Sequence, residues 1–208
     1  MQSEVVMTDL ERAMADIAFI QQRLAASTRF DGLTPQAVAG TGLLALAAAF
    51  VQAHWPVPFA ETAFAYIAVW SIVALIAVGL IGGEALIRAR RLHGSMADML
   101  IASTLRLLLP FMVAGGALAL IVLRFAPQSA WMLPGLWQML IALAGFCSVS
   151  TLPRAIVWAA GWYFASAVVT LIVGAQTQSL DPWMMGVPFG IGQIAVAAVL
   201  QRATRETI

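Results

Sequence analysis

The sequence predicts an all-α integral membrane protein, a bundle of six transmembrane helices preceded by an amphipathic helix on the cytoplasmic side. Three observations predict it. Hydrophobic residues fill 62% of the 208 positions and charged residues only 10%, against about 25% charged in soluble domains. A soluble chain of this size cannot cover that much apolar surface. Six separate stretches are apolar over about 17 to 25 residues, the length that crosses a bilayer as a helix. The arginines, finally, fall between these stretches in alternation.

The elements follow in order. Residues 1–34 form a cytoplasmic N-terminal segment. Thr8-Asp-Leu-Glu11 there reads as a capping box, in which the hydroxyl and the carboxylate satisfy free backbone amides. Leu10, Met14, Ile17 and Leu24 recur at helical spacing behind it, ending before Gly32. The polar face is acidic, with Asp9, Glu11 and Asp16, whereas a helix adsorbed on lipid carries a basic one. Docking on protein, either this chain's own cytoplasmic face or a partner, is therefore the expectation. No basic n-region, apolar core and cleavage site of a signal peptide precedes it.

The transmembrane domain covers residues 35–200, with spans near 35–53, 63–83, 107–125, 131–149, 155–175 and 183–200. Backbone groups in hydrocarbon must be satisfied within each segment, which makes every span a helix. The second should run on past the membrane, since residues 62–92 hold no proline; Gly94 can end it and Ser95-Met-Ala-Asp98 starts another. Pro110 is expected to kink or break the entry to the third span. Residues 201–208 form a short cytoplasmic tail.

Arg12, Arg23 and Arg29 precede the first span; Arg88, Arg90, Arg91 and Arg106 lie between the second and third. Arg154 separates the fourth and fifth, and Arg202 and Arg205 follow the sixth, so Arg124 alone falls on the other side. Basic loops stay in the cytoplasm, which puts both termini there. Trp55, Trp131 and Trp183 occupy the opposite ends as an interfacial belt. With arginine as the sole basic residue and abundant alanine, the composition suggests a GC-rich bacterial genome and an inner-membrane location.

Two sets of residues are candidates for function. Gly186, Gly190, Gln193 and Ala197 share one face of the sixth span, and Gly135, Gln138, Ala142 and Gly145 one face of the fourth. In each span a tryptophan and then a proline precede the glutamine, a pattern compatible with a degenerate parallel repeat. Glutamines at such faces commonly bond to neighbouring helices. Alternatively Gln138, Gln193, Gly186 and Gly190, with Trp137, Trp162, Ser166 and Thr170, line a polar, aromatic pocket for a small ligand. At the cytoplasmic headgroup level, Glu84, Arg88, Arg90, Arg91 and His93 form an anionic headgroup or phosphate candidate. An ordinary ion pair between Glu84 and Arg88 four residues on is the plainer reading of that cluster.

The interiors of the six spans carry no Asp, Glu, Lys, Arg or His. That argues against a proton-coupled pump with a carboxylate in the membrane. Cys147 stands alone, and no metal set, cofactor motif, zincin, Walker, nucleophile-elbow or dinucleotide pattern is present. A net charge of +1 offers no footprint for nucleic acid. The expected partners are the lipid bilayer, a cytoplasmic or membrane protein, and a second copy through the glycine faces. The leading expectation is an accessory or regulatory membrane subunit without catalysis; a facilitator of a small neutral or apolar solute is the alternative, and a lipid-headgroup enzyme the third.

Overall fold

A computed structural model describes residues 34–55, 62–93, 97–150 and 152–205. The N-terminal amphipathic helix expected within residues 1–34, and the Gly94 and Ser95 boundary, lie outside them. The described chain is all-helical: α1 (Pro35–His54), α2 (Ala63–His93), α3 (Ala97–Phe125), α4 (Leu133–Cys147), α5 (Ile156–Thr177) and α6 (Trp183–Arg205). Short 3-10 turns at Pro127–Met132 and Ser148–Ser150 flank α4. Six stretches of these helices are long and apolar enough to cross a membrane, among them Ala63–Ile87 of α2 and Leu108–Phe125 of α3. By length and composition the chain is a multi-pass membrane protein.

Local chemistry sets the helix ends. Pro35 opens α1 at a position where its missing N–H removes nothing the helix would use. The Thr62 hydroxyl accepts the Ala65 amide at 3.2 Å and caps α2. Asp181 does the same for α6, its carboxylate oxygen accepting the Trp183 N–H at 2.8 Å. At the far end of α5 the chain turns through Gln178, whose φ of 52° is left-handed.

Of the kink or break expected at Pro110, the break does not occur: α3 runs as one helix from Ala97 through Pro110 to Phe125. A proline removes one intrahelical bond and crowds the preceding turn, but helices in membranes tolerate it where the freed carbonyl finds another partner or the helix adjusts locally. Pro188 is likewise carried inside α6.

Two pairs of helices form the tightest contacts, α1 with α6 and α4 with α5; α6 also packs on α5. The pairing rests on close approach. A methyl group on Gly186 would collide with Ala49, and one on Gly190 would lie 2.6 Å from Leu46. Across the other pair, a Cβ on Gly135 would meet Leu171 at 2.6 Å and one on Gly145 would meet Ala160 at 2.9 Å. Apolar side chains gain little against each other in lipid, so backbone proximity is what such faces supply. The main core gathers Ala45, Ala49, Tyr66, Ile67, Trp70, Leu133 and Met185 from four helices.

By contrast α2 and α3 are peripheral. Only 6% of the α3 span is buried, against 39% for α4 and α6, so most of its apolar side chains face outward. The helices alternate in direction. One end brings together the starts of α2 and α4 and the ends of α3 and α5, around a cavity of about 290 Å³ that Tyr66, Gln128, Trp131 and Gln178 help to line. At the other end Val38, Ile81, Ala197 and Leu200 pack together, near the arginines.

Candidate functional site

The polar groups within the bundle converge on the first half of α6. Proline has no N–H, so Pro188 cannot donate to the carbonyl four residues earlier, that of Met184. In hydrocarbon an unsatisfied carbonyl costs several kcal/mol. Gln138 fills this gap: its Nε2 donates to the Met184 oxygen at 2.7 Å from α4. The same amide lies 3.4 Å from the Thr170 hydroxyl of α5, which in turn stands 3.4 Å from the Gln138 Oε1. Gln138 is 0% exposed and Thr170 is buried. One side chain thus ties three helices at the point where α6 lacks a bond of its own.

Trp162 makes a second tie to the same place, its indole N–H donating to the Pro188 carbonyl at 3.0 Å. On the opposite flank the Trp137 indole donates to the Gly115 carbonyl of α3 at 3.0 Å. These two half-buried indoles thereby find the partner their polar edges require. The Tyr66 hydroxyl donates to the Asp181 carbonyl at 3.0 Å, linking the start of α2 to the α5–α6 connection.

Of the residues read from the sequence as pocket candidates, Gln138, Thr170 and Trp162 meet at α6, whereas Gly186 and Gly190 face Ala49 and Leu46 of α1. Trp137 points its indole to α3 instead. Ser166 and Gln193 are half-buried. Gln193 sits where α1 crosses, a Cβ on Gly42 standing 3.0 Å from its own. Its side chain also faces the Tyr163 hydroxyl, although the pair does not close a hydrogen bond. The tryptophan series on α5 leaves the bundle at its arginine-bearing end, where Trp158 is 82% exposed.

Two side chains of the cluster at the end of α2 fall within the described residues. Glu84 is half-buried and Arg90 exposed. The side chains of Arg88, Arg91 and His93 lie outside the described residues, so their pairing with Glu84 does too.

Sequence reasoning did not single out Tyr163 or Gln52. Tyr163 is buried, and its ring occupies the space a methyl on Gly192 would need. Gln52 has both amide atoms buried without a hydrogen-bond partner, as does the Trp70 indole nitrogen. The Met184 carbonyl was readable in advance, because any proline inside a helix names its orphan four residues back. Which side chain would serve it was not.

Chemically, this node holds neutral donors and acceptors that satisfy one another, with no ionisable side chain among Gln138, Thr170, Trp162 and Pro188. It joins helices; no described group in it is set to transfer a proton or attack a bond. No family model, curated protein or solved structure matches this chain.

Proposed function

We propose that this chain is an accessory or regulatory subunit of a bacterial inner membrane, without chemistry of its own, that engages a protein partner on its cytoplasmic face. The observation that carries the reading is the reach of α2 and α3. They are 31 and 29 residues long, about 46 and 44 Å at 1.5 Å per residue, against a hydrocarbon core of about 30 Å. α2 continues past Ile87 to His93, and α3 begins at Ala97, well before its apolar window opens at Leu108. A helical hairpin of that length reaches beyond the lipid and carries Arg90 and Arg106, both exposed. The excess of arginine at this end supports a cytoplasmic assignment for it. The use of Gln138 as an internal tie supports a packing role for it over a place in a transport pathway.

Photo-crosslinking tests the reading. With p-benzoylphenylalanine at position 90 or 106, irradiation in native membranes should yield a discrete adduct with one protein, identified by mass spectrometry. The same probe at Leu75, which is exposed within the α2 span, should give lipid adducts. Removing residues 1–30 should lower the yield of the protein adduct if that segment shares the contact. Lipid adducts alone from positions 90 and 106 would rule the reading out.

A further inference from the structure

We propose that the cavity at the tryptophan-bearing end binds a neutral hydroxylated group on the scale of one sugar ring or a short polyol. The inference is independent of the partner reading above. Its volume is about 290 Å³, space for roughly ten water-sized groups at ~30 Å³ each. Its lining comes from Thr62 and Tyr66 on α2, Gln128 and Trp131 in the 3-10 turn before α4, and Gln178 and Leu180 after α5. Among the described lining residues there is no Asp, Glu, Arg or His, and the groups they offer a ligand are uncharged.

That chemistry has a defined character. Each glutamine amide presents a donor and an acceptor side by side, and a hydroxyl needs both. Two of them come from segments far apart in the chain, and two aromatic residues share the lining. The rings are held in place. Tyr66 is buried and its hydroxyl is fixed on the Asp181 carbonyl. Trp131 lies so close to α5 that a methyl on Gly174 would meet its ring at 2.9 Å. Polar groups placed on a rigid frame are what fix a small ligand's orientation.

Gln178 adds an independent sign. It is the sole non-glycine with positive φ among the described residues. Glycine is the residue such a helix end ordinarily takes, because it has no Cβ to oppose the left-handed turn. Here a long amide stands in its place and lines the cavity. Its Nε2 donates to the Ala175 carbonyl at 2.9 Å, which fixes the amide at the rim. Non-glycine residues held in this region cluster at functional sites.

The ligand chemistry has two sources, a free solute or the glycosyl headgroup of a lipid, and the test separates them. Full-length protein in phosphatidylethanolamine nanodiscs is titrated with methyl glucoside and with myo-inositol, read by saturation-transfer NMR. In a second arm the nanodiscs contain monoglucosyl diacylglycerol, and loss of the free-sugar signal reports competition from the headgroup. Saturable binding in the millimolar range is the expected result for at least one probe or for the lipid. Gln128→Leu, at an exposed position, should weaken it about tenfold. Gln178→Gly relieves the left-handed backbone, so its melting temperature should hold or rise while binding weakens by at least threefold. Competition by the lipid assigns the site to a headgroup, and its absence to a free solute. No saturable binding in either arm, or binding that neither substitution changes, would overturn the proposal.

Discussion

Replacing Gln138 by leucine leaves the Met184 carbonyl with neither its own helix's donor nor the amide from α4. A buried acceptor abandoned in this way costs about 1–3 kcal/mol. The variant should therefore unfold more readily in detergent, in a thermal or steric-trapping measurement. Pro188→Ala supplies the control. It returns an N–H to position 188, which can donate to Met184 along the helix. In that background Gln138→Leu should cost less, and the double-mutant cycle should show a coupling of about 0.6 to 2 kcal/mol. Strict additivity of the two substitutions would mean that the amide serves something other than the orphan carbonyl. Thr170→Val, which removes only the 3.4 Å contact, should have the smaller effect of the two single changes on α4 and α5.

Between helices, what decides the packing is which glycines are covered. Gly186 has no room for a side chain against Ala49, whereas Gly79 and Gly83 on α2 have nothing within 4 Å. Gly186→Leu should separate α1 from α6, with a loss of roughly 1–3 kcal/mol or more from overpacking. Gly79→Leu should leave the stability of the isolated protein within about 0.5 kcal/mol. Denaturation curves in the same detergent decide between them. This contrast also marks how far the sequence was legible. Bilayer-length apolar runs are a property of each segment alone, and the six helices follow from them. A glycine face, however, reads the same whether it is filled, as at Gly186, or open, as at Gly79. Nothing local in Pro35–His54 announces that Trp183–Arg205 is its closest neighbour. The polar stripe on α5 was similarly readable as a stripe, but Trp162 found its acceptor on Pro188 only through the α5–α6 packing. Pro110 does not end α3, because a proline's cost in water is not its cost in a membrane, where a helix adjusts around it.

For the molecule as a whole, the alternation of helices implies two chemically distinct ends. With Cys147 replaced by serine, single cysteines at Gln128 and at Arg202 should be labelled by a membrane-impermeant maleimide from opposite sides: the first in intact spheroplasts, the second only in inverted vesicles. Labelling of both from one side would break the six-span scheme. The pairing of α1 with α6 has a further consequence, for biogenesis. The first of the six described spans finds its closest companion in the sixth. About 130 residues separate the two, which at 5–20 residues per second is roughly 6 to 26 s of translation. During that interval the alanine-lined groove of α1 stays uncovered. The ribosome therefore delivers the closing piece at the end, and chains that stall after the fifth helix should be the ones that membrane quality control removes.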